Sequence, residues 1–434
     1  MLPTDEMFNG SSRQVSKKLL VYFTDTPVEI SKDNYLISCD IEETTWCSAS
    51  KLFNSIEPNT LDATIANVDR LFSPSNLDSP YASSIGVGVK IEVLASVNDS
   101  DWIPMGTFFT TDWSVSVDGL TVDIFASDNL INVLKGDPTR ILPQPAISYR
   151  DFINYYFARL GFSVSVDADA SLLNMLQWGL STGSINDDLT ELSQATWSMC
   201  GFNRKNELQF IPISSVTDTR AVLTDDDQIV SISAKQSIIK TYDGSSLTYC
   251  APSASLDEIL RVDNMGITAG ISEEMCFPFN KTPVVGIADV SCDTTLTKTV
   301  VESFRYNPEE IFVCVSSSGV SDTTGMVVRG WYLPMLECLK ESEGSNLFKC
   351  RNNFIQYGDY ATQYKIKLDR YAASSLPTLE VDIHGNLLFY LGDKIEINSA
   401  KYATWFLGKI VGIKTSYDGS LKQTLTLLDA SIIE

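Results

Sequence analysis

The sequence predicts a β-rich α+β protein with several domains, and three observations support this fold class. Apolar runs of strand length alternate with Asn, Asp, Gly and Pro over the first 126 residues. Between about 141 and 214, apolar residues recur with helical spacing instead. A strand motif from the N-terminal third of the chain returns near the C terminus. Since a domain usually holds roughly 100–200 residues, the 434-residue length predicts two to four domains.

Composition and charge exclude several classes of protein. With 44% hydrophobic and 10% aromatic residues, the chain can bury large cores, which excludes a disordered protein. The chain has 55 acidic and 32 basic residues, a net charge of −23 and a pI near 4.4. General nucleic-acid binders and proteins that bind anionic membranes need cationic surface, so the charge argues against both functions.

The sequence shows no targeting or metal-binding pattern. The N-terminal segment has early acids and a short apolar run, so we expect no secretory signal, and no apolar run reaches membrane-spanning length. The nine cysteines are scattered singly, without a CxxC pair, and there is one histidine. Reduced thiols in a protein made in the cytoplasm are therefore favoured over zinc ligands. The cysteines are Cys39, Cys47, Cys200, Cys250, Cys276, Cys292, Cys314, Cys338 and Cys350.

Strand-and-turn patterns account for the N-terminal region. Two Asp-Gly pairs, Asp118-Gly119 and Asp418-Gly419, stand between β-like runs and predict hairpins, because both residues tolerate positive φ. The predicted strands of this region are Lys18–Phe23, Asn34–Ile41, Ile85–Leu94 and Leu120–Ala126.

The segment from about 141 to 214 predicts a small α+β module. Ser148 and Asp151 have the spacing of a capping box, and they open a helix that Gly161 can end. A second helix is predicted over Ile185–Gly201, with acids in its first turn. It leads into a hairpin over Phe202–Ile213, whose turn is Arg204 to Asn206.

The order of these patterns predicts an insertion within a β domain. The β pattern resumes after the module, so the first β domain is predicted to be discontinuous. A helix is predicted over 357–374, ahead of a C-terminal β block. The predicted domains are 1–140 with 215–255 (first β domain), 141–214 (inserted α+β module), 256–350 (a mixed α/β region) and 351–434 (second β domain).

The two β domains carry a repeated pattern, which favours duplication over the alternative of a chance match between short strands. Val89–Asp128 and Leu391–Asp429 share a Lys-Ile-Glu strand start, a Trp-containing apolar stretch, a Gly, an Asp-Gly pair and a closing Asp. Three copies of a chain with a duplicated domain present six similar domains, and such a ring can mate with a six-fold partner. The matched residues are Lys90-Ile91-Glu92-Val93 with Lys394-Ile395-Glu396-Ile397, Gly106 with Gly408, Asp118-Gly119 with Asp418-Gly419, and Asp128 with Asp429.

Part of the chain resembles a known family. The C-terminal run from Asn353-Phe354-Ile355 through Ala361, Leu379–Val381 and Gly385-Asn386 to Gly392-Asp393-Lys394-Ile395 resembles the corresponding part of phage tail hub proteins. This is the baseplate hub and tail-tip family, which is shared with related contractile injection systems. The segment Ile103–Leu130 and the helix–Gly–hairpin module resemble further parts of the same family.

The resemblance implies a non-enzymatic structural protein of the virion. It implies a homotrimer of chains with two tube-like β-barrel or sandwich domains each, connecting a six-fold tail tube to the tail tip or baseplate. The expected partners are the tail tube and distal tail proteins, a tail-tip spike or fibre protein and a tape-measure protein. DNA would pass through the channel during ejection without specific binding. No cofactor and no stable membrane insertion are implied, and any peptidase or lysin activity is expected on another polypeptide.

Two interpretations of the acidity and the aromatic residues stay open. An acidic channel wall would let DNA slide, so Asp and Glu are expected on the lumen face; solubility alone is the alternative. A virion-associated carbohydrate-active or cell-surface-binding β protein is the alternative function, with tryptophans as a sugar platform. The tryptophans are Trp46, Trp102, Trp113, Trp178, Trp197, Trp331 and Trp405, whose spread is more typical of core and interface anchors.

No catalytic, cofactor or metal site is predicted. His384, in a turn beside Gly385, would have to carry any triad or metal site alone. Asp225, Asp226 and Asp227 are consecutive, so they cannot all point at one cation, and a solvated loop is favoured. Asp167–Ser171 lacks the Gly and the distal Glu of a calcium loop.

Overall fold

The computed structural model of the chain consists mainly of strands, with four α-helices among the residues that it describes. No helix in these residues is long and apolar enough to cross a membrane. The described residues are 5–8, 14–44, 56–138, 141–166, 174–181, 184–213, 218–225, 228–235, 242–292, 298–319, 322–373, 378–402, 404–418 and 420–429.

Seven strands ahead of the first helix form the first β unit. Buried and exposed side chains alternate along them, because successive residues of a strand point to opposite faces of the sheet. A 3₁₀ turn, Val68–Arg70, follows the fourth strand. The strands are β1 (Val15–Tyr22), β2 (Val28–Ser31), β3 (Leu36–Thr44), β4 (Thr60–Ala66), β5 (Lys90–Val97), β6 (Ile103–Val115) and β7 (Thr121–Ser127).

A helical module follows. As predicted, Ser148 caps a helix by accepting a hydrogen bond from the Asp151 N–H, and Gly161 ends it with a φ of 84°. The next helix ends at Thr196 rather than at the predicted Gly201. The backbone of Trp197 adopts the left-handed helical conformation, and a strand begins at Ser198. The elements are α1 (Leu130–Val133), β8 (Gln144–Ser148), α2 (Tyr149–Leu160), β9 (Val164–Val166), β10 (Met175–Gly179), α3 (Ile185–Thr196), β11 (Ser198–Phe202) and β12 (Leu208–Pro212).

Two strands and a second β region come next. In the predicted mixed α/β region, every described element from 256 to 350 is a strand; the expected helices are absent from 256–292, 298–319 and 322–350. The strands are β13 (Ala221–Thr224), β14 (Ile229–Lys235), β15 (Gly244–Pro252), β16 (Ser255–Ile267), β17 (Ser272–Pro278), β18 (Val284–Cys292), β19 (Thr299–Tyr306), β20 (Glu310–Ser317), β21 (Asp322–Tyr332), β22 (Met335–Glu341) and β23 (Leu347–Asn352).

The C-terminal part has one helix and four strands. The predicted helix over 357–374 is present, and the strands after it form the predicted hairpin arrangement. These elements are α4 (Gly358–Ala373), β24 (Thr378–Ile383), β25 (Lys394–Ser399), β26 (Thr404–Tyr417) and β27 (Leu421–Asp429).

One 13-stranded sheet joins the two ends of the chain. Its main order is β14-β24-β27-β26-β3-β4-β7-β6-β5-β1-β2, and β25 pairs with both β26 and β13. We call β13, β14 and β24 to β27 the second β unit. Backbone pairing among the described strands leaves this sheet open, so the two β units are parts of one open sheet rather than two closed barrels. Each unit has its own apolar core.

The strand pairing corrects two of the predicted domain assignments. Residues 215–255 do not return to the first β unit: β13 pairs with β25, and β14 pairs with β24. The next strand, β15, pairs with β22 and β23, and α4 packs against it. α4 therefore belongs with the core of the helical module, where Tyr364 and Leu368 are buried, and not with the second β unit. An alternating pattern predicts a strand but cannot identify its distant partner.

The region from 255 to 332 forms a separate β sandwich. Two three-stranded sheets, β16-β21-β18 and β17-β20-β19, enclose a small apolar core. The strand β20 alternates strictly between buried and partly exposed residues, as a strand with one face on a core must.

Candidate functional site: the duplicated sheet and its acidic face

Strand register shows that the two hairpin blocks are equivalent. Ile91 lies opposite Phe108 in the first unit, and Ile395 lies opposite Gly408 in the second. Phe108 therefore corresponds to Gly408, and the pairing of Gly106 with Gly408 expected from sequence is two residues out of register. Both blocks also carry an irregularity at the same place, between Thr110 and Asp112 and between Ile410 and Gly412. β-bulges are specific features of a fold rather than random defects, so an irregularity at the same position in both blocks supports duplication.

The duplication extends to two further strands that sequence reasoning missed. In the first unit, β4 pairs with β7 and begins with Thr60-Leu61-Asp62. In the second unit, β24 pairs with β27 at the equivalent register and begins with Thr378-Leu379-Glu380. Their neighbours β3 and β14 are also equivalent, with an irregularity after Leu36 in one and after Ile229 in the other. The shared Thr-Leu-acid start is the signal that could have found this part of the repeat. The equivalent strands are therefore β3 to β7 and β14 with β24 to β27.

The two units are joined by direct strand pairing. The second part of β26, Gly412–Tyr417, pairs antiparallel with Cys39–Thr44 of β3. We call this contact the internal joint. Beneath it, the buried Lys17 ammonium donates a hydrogen bond to the Cys39 carbonyl at 3.3 Å. Burial lowers the pKa of Lys17, although nearby acids act in the opposite direction. The joint therefore continues one sheet across the two units, with a buried polar contact behind it.

Arg204 anchors the helical module to the internal joint. This residue lies in the predicted β11–β12 turn, and it is buried. Its Nε and Nη2 donate to Glu43 of β3 at 2.8 and 2.6 Å, and Nη1 and Nη2 donate to the carbonyls of Leu387 and Phe389 at 2.6 and 2.9 Å. Burial disfavours the charged guanidinium and so lowers the pKa of Arg204. The carboxylate of Glu43 raises that pKa by more, and the net shift is upward. One side chain thus links the module and both β units.

One face of the shared sheet is acidic. Residues that lie directly opposite one another on neighbouring strands share a face, and the register runs from β24 through β27, β26, β3, β4 and β7 to β6. The solvent-accessible part of this face carries seven carboxylates and two ammonium groups among its described residues, while the ammonium of Lys409, on the same face, is buried and donates to the Ile213 carbonyl. The accessible groups belong to Asp40, Glu42, Asp62, Asp112, Asp123, Glu380 and Asp382, with Lys414 and Lys422. We call this surface the acidic face.

The centre of the acidic face is concave. A cavity of about 310 Å³ lies over the internal joint and the first β unit, and Asp40, Asp62, Phe125 and Lys414 are among its lining residues. The pKa of Asp62 is raised by partial desolvation and by the neighbouring carboxylates of Asp40 and Asp123, which Lys414 partly offsets. The carboxylates are thus close enough to repel one another.

A polar pair is repeated on this face with its members exchanged. Thr64 of β4 donates a hydrogen bond to Asp123 of β7 at 2.8 Å. At the equivalent register in the second unit, Thr424 of β27 donates to Asp382 of β24 at 2.7 Å. The threonine and the aspartate have exchanged strands, while the cross-strand bond is the same. The threonine–aspartate hydrogen bond is therefore present at equivalent positions of both units, although the residue at each position differs.

The residues considered as sites in the sequence do not come together. His384 is exposed, and its backbone N–H donates to the Gln228 carbonyl at 3.1 Å. The carboxylate of Asp225 accepts from the Lys401 N–H at 2.8 Å and from the Ser399 hydroxyl, and these bonds lower its pKa. Asp226, Asp227, Asp167–Ser171, Trp46 and Cys47 lie outside the described residues.

The other candidate groups are also dispersed. Within the described ranges, no cluster of three or more His, Cys, Asp or Glu side chains could hold a metal ion. The eight cysteines that the structure describes are free thiols. Trp197 is buried at the end of α3, whereas Trp405 is 68% exposed and donates to Glu396 at 3.0 Å. Trp331 is exposed on the β sandwich, far along the chain from both.

Solved structures of phage tail proteins share this fold. No protein-family profile and no curated protein matches the sequence. The chain is similar to the 43 kDa tail protein of prophage MuSo2 from Shewanella oneidensis, with a TM-score of 0.55 and 10% identity over 96% of this chain and 100% of that one. It is also similar to a tail protein from Neisseria meningitidis MC58, with a TM-score of 0.53 and 9% identity over 96% and 98% of the two chains. The predicted resemblance is therefore confirmed at the level of the fold: the chain has the fold of phage tail proteins.

Proposed function

We propose that this chain is a structural subunit of a phage tail hub and that three copies form a ring at the end of the tail tube. The internal joint is the observation that carries the proposal. It shows two equivalent units placed side by side as consecutive segments of one sheet. The fold shared with phage tail proteins supports the same role.

The ring follows from the number of units in each chain. Contacts that repeat head to tail close into a ring when the rotation allows it. Three chains with two units each supply six similar segments, so the ring can match a six-fold tail tube on one side. A three-fold partner such as a spike or fibre protein can then bind the other side. Distal tail and tape-measure proteins are the further partners that this position offers.

The acidic face is proposed to line the channel of the ring. Duplex DNA carries one negative charge per about 1.7 Å of its axis, and cationic walls would hold it by counterion release. Seven carboxylates against two lysines on a concave sheet face give a wall that repels the DNA backbone. DNA would therefore slide through without being bound.

The role is proposed to reside in interfaces rather than in catalysis. Two of the polar groups described above make structural contacts: Arg204 links three parts of the chain, and Asp225 accepts bonds from a neighbouring turn. The fold shared with tail proteins supports a location in the virion tail, with the protein made in the host cytoplasm before assembly.

The mass and shape of the purified chain test this function. We expect light scattering to give three chains per particle, and electron microscopy to show a ring with six similar lobes around a channel. Scattering across a dilution series separates the trimer from concentration-driven aggregation. A chain that stays monomeric at every concentration, or a particle without a central channel, would overturn the proposal.

A further inference from the structure

Two of the strand edges of the shared sheet that have no partner within the described residues are the second part of β6 and the outer edge of β14. The β5 ladder along β6 ends at Lys90 opposite Phe109, and the backbone of Gly88 and Val89 extends it to Thr110. Beyond that point, no described strand pairs with β6 on this side. The Trp113 N–H is bonded instead to the side chain of Asp112, at 2.9 Å. At the far end of the sheet, β14 pairs with β24 alone among the described strands.

The equivalents of both edges are paired with each other in the internal joint. The counterpart of Asp112–Val115 is Gly412–Thr415, and the counterpart of β14 is β3. Continued into the turn after β6, the same register matches Ser116 and Val117 with Ser416 and Tyr417. Gly412–Tyr417 and β3 form the internal joint. The chain thus already shows how these two edges fit together, because one copy of each is joined within it.

Side-chain exposure agrees with a missing partner. Tyr417, at the end of β26 in the joint, is 2% exposed, whereas its counterpart Val117, in the turn that follows β6, is fully exposed. Cys39 of β3 is fully buried in the joint, whereas its counterpart Ile232 on β14 is only partly buried. Unpaired apolar strand edges are sites where another chain adds. Both differences would disappear if the second joint formed.

We propose that β6 of one copy pairs antiparallel with β14 of the next copy, in the register of the internal joint. The proposal rests on the ring proposed above and names the strands that close it. The occupant is a second copy of this chain, because the chain carries both halves of the joint and, among its described residues, each copy leaves one edge of each kind unpaired. The register places Ser114 opposite Lys235, Val115 opposite Ala234, Ser116 opposite Ser233 and Val117 opposite Ile232.

The backbone direction of β6 identifies the close pairs in this seam. The Ser116 N–H donates to the Thr121 carbonyl, so the polar backbone groups of Ser116 point toward β7. Groups two residues away point the same way, and those of Val115 and Val117 point to the free edge. Ser116 and Ser233 are therefore predicted to form a non-hydrogen-bonded pair, in which the two Cα atoms approach most closely.

A designed disulfide tests the register. The double variant Ser116→Cys with Ser233→Cys should oxidise to covalent trimers that a reducing gel returns to single chains, since this pair geometry suits a disulfide. The matched control is Ser114→Cys with Ser233→Cys, which places the cysteines diagonally and should give markedly less trimer. The unsubstituted chain, treated with the same oxidant, measures any contribution from the native cysteines.

The outcomes separate this inference from the proposed function. Suppose that the chain is trimeric by light scattering but the Ser116–Ser233 variant gives no more covalent trimer than its control. The proposed strand register is then wrong, whereas the proposed trimeric ring is supported. If the chain is monomeric, both proposals fail. Trimer formation that follows the predicted pair supports the seam.

A proline variant tests the seam without new cysteines. Val115→Pro removes an N–H that points to the free edge, so it should shift the trimer to monomer while circular dichroism stays native. Val115→Thr keeps the N–H with a similar shape and should remain trimeric. A folded Val115→Pro variant that is still trimeric would overturn the seam. If that variant fails to fold, the disulfide pair decides.

Discussion

Glu43 and Arg204 form a buried bidentate ion pair that ties the helical module to the joint between the two β units, with contacts at 2.6 and 2.8 Å. The pair brings together residues 161 positions apart in the chain. The two other hydrogen bonds of Arg204 are to carbonyls in the loop after β24. The guanidinium is therefore bonded to the first unit and the second unit at once.

Removing Arg204 should destabilise the protein strongly. Arg204→Ala leaves Glu43 buried and unpaired, which costs about 3–5 kcal/mol. We expect the free energy of unfolding in urea to fall by that amount. Lys205→Ala, in the same turn but exposed, is the control and should change it little. Arg204→Met with Glu43→Met should cost less than Arg204→Ala, since no lone charge remains. Equal stability of Arg204→Ala and the native chain would contradict this role.

Glu191 should make stability depend on pH near neutrality. It lies on α3, and its carboxylate accepts bonds from the N–H and the side-chain amide of Asn353 at 2.9 and 3.1 Å. Burial raises its pKa from 4.5 to about 7. The folded state therefore holds this proton more tightly than the unfolded state. The resulting stabilisation is complete below pH 4.5 and is lost as the pH rises through about 7.

The variant Glu191→Gln keeps the shape of the side chain and removes the titration. A full shift of this size corresponds to about 3 kcal/mol, so the difference in stability between variant and native chain should change by up to that amount from pH 4.5 to 8. Denaturation midpoints measured across this range give the result. Glu29→Gln, at an exposed site, is the control. A constant difference over the whole range would show that Glu191 does not titrate there.

Exchanging Thr64 and Asp123 should reproduce the arrangement of the second β unit. Thr64→Asp alone places two carboxylates opposite each other, and Asp123→Thr alone removes a hydrogen bond, so each should cost about 0.5–1 kcal/mol. The double variant restores one threonine and one aspartate across the same pair, as Thr424 and Asp382 already show. We expect urea unfolding to recover most of the loss. A double variant with additive costs would mean that the two sites are not equivalent.

Reversing charge on the acidic face should create DNA binding. Asp40→Lys with Asp62→Lys places lysines on the concave part of this face, and we expect it to bind duplex DNA at low salt with an affinity that falls steeply as salt rises. Asp263→Lys with Asp289→Lys makes the same change in net charge at exposed positions of the β sandwich. Anisotropy titrations compare the two. If both bind equally well, net charge explains the effect, and the acidic face has no special position.

Local features of the fold were predictable because local chemistry decides them. Ser148 and Asp151 have the capping spacing and form the cap, and Gly161 ends the helix that they open. The hairpin turn from Arg204 to Asn206 also follows from nearby residues. α3 ended early because Trp197 adopts a left-handed conformation, which helical periodicity does not reveal.

The candidate site was only partly predictable. The repeat of Lys-Ile-Glu and Asp-Gly motifs pointed to duplication, but the Gly106–Gly408 match was out of register, since the loop between β5 and β6 differs in length from its counterpart between β25 and β26. The equivalence of β3 with β14 was not visible, because those strands share alternation and a bulge rather than residue identities. Strand partners more than a hundred residues apart leave no local signal.

The sequence by itself determined the β-rich fold class, several of the N-terminal strands, the cap and the end of α2 and the presence of a repeat. These properties depend on residues a few positions apart, so a linear pattern contains them. The tertiary structure alone decided that β26 pairs with β3, that β14 joins the C-terminal strands and that Arg204 reaches Glu43. Backbone hydrogen bonds are the same for every residue type, so the choice of strand partner depends on the packing of the whole chain.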